Sequence, residues 1–314
     1  MTVNKIKNRH CSALCNGEYQ MKIKKFCTKH FSKVPFYDRV LWNNYLKVLG
    51  IVSSIASIVS FFITADKIDA EIWPLAAAFF LVVCLTFLCM WWSANHLRKV
   101  ELRINQTNVC VKIGDIFSPE NETEVNIIAV NDFFDTQADD RIVAKKSLHG
   151  RFIQKLKEKE VLNCLKQKIS TDRALNAKGN WKAEVRYGKK VRRYKIGSML
   201  TFGSYVLTAF SRYDKKNRAF LSAEEYTGFW MRFWKNIDVI YAGRTINIPL
   251  IGAGLTRFQD GKPSKQELLE IMLWTLKISG FQNTYADSKI NFVIYEKDAP
   301  EIDFYHIQHN RHFR

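Results

Sequence analysis

Acidic charge is scarce in this chain: its 314 residues carry 30 Asp and Glu against 48 Lys and Arg, a formal net charge of +18. Hydrophobic types stop at 47%, which excludes a multi-spanning transporter. Cysteine appears in an odd number, seven, in segments placed inside the cell or the membrane, which argues against a disulfide framework. There is no P-loop, and no Ser/His/Asp or Cys/His arrangement stands in a supporting motif. The sharpest absence is local. From Val48 to Ala65 and again from Ile72 to Asn95 no residue ionises, and that excludes a simple soluble enzyme.

The basic excess divides unevenly around that gap, as +8 over residues 1–47, −2 over 48–95 and +12 over 96–314. A bilayer core about 30 Å thick needs roughly 20 apolar helical residues. The second run meets this, and the first does so once Tyr45, Leu46 and Lys47 are included, with the Lys47 amine reaching back to the interface. Two transmembrane helices are expected, at about 45–65 and 72–94, joined by the acidic turn Asp66–Glu71, with Trp73, Trp91 and Trp92 in aromatic belts. Lys33, Arg39 and Lys47 before the pair, and Arg98, Lys99 and Arg103 after it, place both termini in the cytoplasm. More than 40 mostly polar residues ahead of the first run argue against a cleavable signal peptide. Residues 1–44 form a basic tail. Within it Cys11, Cys15, Cys27 and His30 are four potential zinc ligands, but the spacing is loose and no metal site is expected.

Residues 96–314 read as a mixed α/β domain. Strands are expected at Leu102–Lys112, Val125–Val130, Gly203–Phe210, Thr245–Ile251 and Ile290–Tyr295. Helices are expected over Arg151–Lys168, over Ser222–Lys235 from a capping box, and from Ser264 to about Ser279. This alternation implies a mostly parallel sheet flanked by helices, with ligands bound beyond the carboxyl ends of the strands. Two glycine turns lie there: Ile113–Gly114–Asp115–Ile116 and Ile248–Pro249–Leu250–Ile251–Gly252–Ala253–Gly254–Leu255. Glycines let a backbone approach phosphates, and successive N–H donors make an anion nest.

The order and spacing of these turns resemble a macro domain, the module that binds ADP-ribose and related nucleotides. The resemblance implies that Asp115, beside Ile116, accepts a hydrogen bond from the adenine amine. It also implies that Gly252, Ala253, Gly254 and Leu255 present N–H groups to the pyrophosphate. The Asn-rich motif of de-ADP-ribosylating members is replaced by Asn131-Asp132-Phe133-Phe134-Asp135-Thr136, which favours binding without catalysis. The loop then reaches a helix start at Ser147, His149 and Gly150, candidates for phosphate or distal groups. Asp132 is the candidate water-positioning group if the domain is instead an ADP-ribosyl hydrolase. Tyr295 and Phe258 are candidates to flank adenine and distal ribose.

More narrowly, the two amino-terminal spans with VNIIAVNDFFDT, KKSLHGRFI, GSYVLTAFSRYD and INIPLIGAG are similar to the membrane-anchored macro-domain effectors of type II Thoeris anti-phage defence. That resemblance implies a nucleotide signal, histidine–ADP-ribose or a related ADP-ribose derivative, made from NAD by a TIR-domain partner. It further implies homo-oligomerisation on activation, contact with membrane lipids, and cell death by membrane damage. No cofactor is implied beyond the ligand. The stretch from Lys178 to Lys195 is strongly basic, with Trp181, Tyr187 and Tyr194 interleaved like a nucleic-acid surface. A solvated excursion facing headgroups or steering an anionic dinucleotide is the preferred reading, and nucleic acid is not an expected partner.

Overall fold

The computed structural model describes residues 33–61, 72–156, 158–259, 261–282, 285, 288–310 and 313. The possible zinc ligands Cys11, Cys15, Cys27 and His30, the end of the first expected span and the acidic turn lie outside these residues. The chain divides into two units at Leu97/Arg98.

In the first unit, helices α1 (Arg39–Phe61) and α2 (Ile72–Asn95) are joined by specific contacts. Tyr45 Oη donates to the Val83 carbonyl at 3.1 Å, and Trp91 Nε1 donates to Val34 at 2.9 Å. Phe36 stacks on Trp91 at 4.2 Å, and Phe87 lies between Trp42 and Tyr45. Trp91 is therefore drawn into an aromatic cluster, whereas Trp73 and Trp92 remain exposed. Among the described residues one helix segment, Ala76–Asn95, is long and apolar enough to cross a membrane, and most of it is exposed, with Ala94 buried.

The second unit is built on a nine-stranded sheet ordered β1-β2-β11-β9-β3-β7-β8-β10, with β6 also on β7. Its strands are β1 (Lys99–Ile104), β2 (Thr107–Ile113), β3 (Val125–Asn131), β6 (Met199–Phe202), β7 (Tyr205–Tyr213), β8 (Ala219–Leu221), β9 (Ile246–Pro249), β10 (Arg257–Phe258) and β11 (Ile290–Ile294). The β2-β11-β9-β3-β7 centre is parallel throughout, so the carboxyl ends of these strands share one edge. A separate antiparallel pair, β4 (Trp181–Arg186) and β5 (Lys189–Tyr194), forms a hairpin.

Both faces of the sheet are covered. Helices α3 (Leu148–Lys155) and α4 (Lys159–Thr171) flank a core of Ile128, Val130, Phe152, Leu165, Leu207 and Val293. On the other side, α5 (Ala223–Ile240) buries Tyr226, Phe229, Trp230, Phe233, Trp234 and Ile237, the i, i+3, i+4, i+7 stripe of a core-facing helix. Its neighbour α6 (Lys265–Ile278) buries Leu268, Leu269, Met272 and Leu273. Phe292 meets Trp234 while the adjacent Val293 joins the α3/α4 core, as the two-residue period of a strand requires. A short helix, α7 (Phe304–His309), follows. Across the middle of the sheet runs a buried asparagine ladder: Asn291 Nδ2 donates to Asn247 Oδ1 at 2.8 Å, and Asn247 Nδ2 to Asn126 Oδ1 at 3.0 Å.

Several expected elements change form. Leu102–Lys112 is not one strand but the hairpin β1–β2, because Asn105 and Gln106 adopt φ of 47° and 65° and turn the chain back. Arg151–Lys168 is broken into α3 and α4, since Leu156 leaves helical geometry at ψ 61°. Both capping boxes, Ser222/Glu225 and Ser264/Glu267, are formed.

Candidate functional site

A cleft of about 860 Å³ opens at the carboxyl ends of β2, β3, β9 and β11. Asp115, Ile116, Ser147, His149, Gly252, Ala253, Gly254, Leu255 and Tyr295 all line it, so segments remote in sequence converge there. Ile116 is buried and belongs to the core beneath, giving the cleft an apolar floor. The charged residues on its walls are five cations, Lys145, Lys146, Arg151, Lys265 and Lys297, against Asp115 and Asp298. That balance favours an anionic ligand.

Asp115 is held from two sides. Its Oδ1 accepts from the Phe117 N–H at 3.1 Å, and its Oδ2 accepts from Arg151 Nη2 at 2.6 Å. The Arg151 guanidinium in turn lies 4.9 Å from the Phe117 ring centre and 5.4 Å from that of Tyr295. Cation–π contact on both rings fixes a flat cation beside the carboxylate. Asp298 is likewise paired, with Lys265 at 2.7 Å.

The α3 start is shaped by its cap. Ser147 Oγ donates to the Ala144 carbonyl and accepts the Gly150 N–H at 3.0 Å, so its hydroxyl is spent on the turn. Gly150 does not line the cleft. A Cβ there would sit 2.1 Å from the Ala144 carbonyl oxygen, so its glycine is dictated by packing. His149 is 7% exposed, and burial pushes its pKa down to about 4, opposed by a hydrogen bond to the Asp135 backbone. It therefore presents a neutral imidazole to the cleft near neutral pH.

The opposite wall is the Gly252–Leu255 loop. Gly252 takes φ +94°, and a Cβ on it would come within 3.1 Å of the Tyr226 ring. Tyr226 Oη donates to the Ile251 carbonyl at 2.9 Å and pins the loop from below. Lys262 Nζ donates to the carbonyls of Ala253 and Gly254 at 3.3 and 3.2 Å. Among the described residues, the N–H groups of Gly252, Ala253, Gly254 and Leu255 have no backbone partner. Four consecutive donors without a backbone partner among the described residues, two of their carbonyls held by a lysine, form an anion nest.

Two further expected contacts fall outside the cleft. Asp132 is 1% exposed; its Oδ2 lies 2.6 Å from Arg193 Nε, and its Oδ1 accepts the Tyr213 N–H at 3.1 Å. Burial pushes its carboxyl up and Arg193 opposes this. It braces β3 against β5 and β7 rather than lining the cleft. Phe258 is buried beneath the loop, its ring edge-on to Tyr226 at 5.7 Å, and so supports Gly252 instead of flanking a ribose. Sequence reasoning missed Arg151 and Lys262. The only signal for Arg151 was its place in the first turn of α3, directly after Gly150.

The family model for the macro domain of Thoeris protein ThsA matches residues 109–295, which span both walls of this cleft. The chain belongs to the ThsA macro-domain family. It is also 33% identical over 266 residues to Thoeris protein ThsA of Bacillus amyloliquefaciens (strain Y2), a match covering 83% of this chain and 87% of that ThsA. Among solved structures it is similar to a mutant Oceanobacillus iheyensis macrodomain with ADPR, at 14% identity and TM-score 0.42, over 67% of this chain and 96% of that one. The same macrodomain with MES bound gives 15% identity and TM-score 0.37, over 67% and 94%. Among the described residues, no group of three His, Cys, Asp or Glu side chains could hold a metal ion in this ThsA-family chain.

Proposed function

We propose that the chain is a membrane-anchored effector of anti-phage defence whose ThsA-type macro domain binds an ADP-ribose-type signal. The observation that carries this reading is the row of unpaired N–H donors from Gly252 to Leu255 in the same cleft as Asp115. The nest suits a pyrophosphate, and Asp115, with Tyr295 beside it, suits an adenine carrying an amine donor. The five cations on the walls favour the anionic ligand over its neutral fragments.

The ligand is histidine–ADP-ribose or a related ADP-ribose conjugate, made from NAD by a TIR-domain partner. Binding without hydrolysis is the reading best supported. Both carboxylates lining the cleft are engaged by cations, and Asp132, the candidate water-positioning group, is spent on Arg193. Ligand binding favours an assembled homo-oligomer over the resting form, and only that differential affinity drives the response. The response is disruption of the inner membrane, where α1 and α2 form a hairpin with both termini in the cytoplasm. The largely exposed apolar segment Ala76–Asn95 supports that placement.

The test is a thermal-shift titration of the full chain in detergent with ADP-ribose, NAD and histidine–ADP-ribose, because a ligand specific for the native state raises its apparent stability by mass action. A rise in midpoint with the ADP-ribose compounds is expected. No rise with any of them would count against the reading.

A further inference from the structure

The basic stretch that the cleft does not use is a built element. In the β4–β5 hairpin, Arg186 pairs with Lys189 across Tyr187 and Gly188, at φ 51° and 72°, a tight two-residue turn. Its arginines tie it to the domain. Arg186 donates to both oxygens of Asp135 at 2.9 and 2.8 Å, Arg193 reaches Asp132 and Glu184, and Arg192 bonds Asn176. Its lysines do not. Lys178, Lys182, Lys189, Lys190 and Lys195, on the hairpin and its flanks, are exposed and have no carboxylate partner among the described residues. Near the turn lie Val185, 72% exposed, and Tyr187, 64% exposed, whose hydroxyl accepts from Asn217 Nδ2.

The aromatic pattern that suggested nucleic acid dissolves in three dimensions. Trp181 packs against the α3/α4 core, and its ring is covered by the Arg192 guanidinium at 4.9 Å, while Tyr194 is buried in that core. No row of aromatic faces is left for bases to stack on. What remains is a turn where exposed Val185 lies beside Lys189 and Lys190, with Lys182 further down β4 and Lys178 and Lys195 beyond the base of the hairpin, which matches the chemistry of an anionic lipid surface: ammonium groups at the phosphates, the turn at the headgroups.

We infer that the β4–β5 hairpin is a docking tip for an anionic phospholipid surface. The inference rests on the membrane reading above, because the domain follows two residues after the apolar segment that ends at Asn95.

The experiment is hydrogen exchange on the full chain in phosphatidylglycerol and in phosphatidylcholine nanodiscs, read at the tip amides of residues 185–190. The expected result is exchange about tenfold slower in phosphatidylglycerol, relieved by high salt and abolished in the triple variant Lys182→Glu, Lys189→Glu, Lys190→Glu. Those side chains are exposed, so the variant keeps its melting temperature. Equal exchange in the two lipids, slowing that survives the triple variant, or slowing by a DNA oligonucleotide without any by phosphatidylglycerol would each overturn the inference. Failure of the chain to enter nanodiscs counts against the membrane anchor and the docking together. Entry without lipid-dependent slowing counts against the docking alone.

Discussion

Arg151 closes onto Asp115, Nη2 to Oδ2 at 2.6 Å, while its guanidinium rests over Phe117 and Tyr295. The carboxylate proposed to receive adenine is thus held in place by a residue in the first turn of α3. Both partners are 37% exposed, so the pair adds little to stability, roughly 0–1 kcal/mol. Arg151→Ala is expected to leave the denaturation midpoint nearly unchanged and to weaken ADP-ribose binding about tenfold, because Asp115 loses its fixed orientation. Calorimetric titration and urea denaturation of the same variant separate the two effects.

Gly150 makes the opposite case, a residue of the quoted motif that acts on the fold. Gly150→Ala places a Cβ 2.1 Å from the Ala144 carbonyl and is expected to cost about 2–3 kcal/mol. A urea midpoint equal to wild type would show that the loop ahead of α3 yields freely.

His149 sets a pH dependence. Its pKa falls from about 6.5 unfolded to about 4 folded, so between those values the unfolded chain binds the extra proton. Stability is therefore full above pH 6.5 and is lost as pH falls towards 4, by on the order of 3 kcal/mol. His149→Gln should flatten that part of the stability curve. An unchanged slope in the variant assigns the acid sensitivity to other groups.

The asparagine ladder should be costly to break. Asn247→Leu leaves Asn126 Oδ1 and Asn291 Nδ2 without their cross-strand partner in a buried strip. A loss of about 2–4 kcal/mol is expected. Replacing all three asparagines by apolar residues should recover only part of it, since the stranded amides are removed but the buried Asn121 carbonyl loses the donor it has in Asn126 Nδ2 at 2.7 Å.

Much of this architecture was legible in the sequence, for physical reasons that vary by element. The apolar run Val125–Val130, the two capping boxes and the glycine turns report locally on their own backbones, and the structure forms all of them. What failed depends on partners distant in sequence. Asp132 looked like a cleft carboxylate because nothing near it in sequence announces Arg193. Phe258 looked like a rim aromatic because Tyr226, which it packs against, lies on another element. The turn at Asn105 and Gln106 was hidden by continuous alternation on either side. Trp181 and Tyr194 resembled a stacking surface, a reading not preferred from the sequence, because alternation along a strand does not say which face is covered.

The central claim is that the Gly252–Leu255 nest and Asp115 together receive one anionic nucleotide. Gly254 offers the cleanest probe, since a Cβ there meets open space while the residue lines the cleft. A larger side chain is therefore tolerated by the fold yet obstructs the nest. The direct measurement is calorimetric titration of histidine–ADP-ribose and ADP-ribose into the full chain, into Gly254→Phe and into Asp115→Ala, each with its melting temperature. Binding by the wild type, reduced about a hundredfold or more in both variants at unchanged melting temperature, is the expected result. Absence of binding to the wild type, or undiminished binding to both variants, would contradict it.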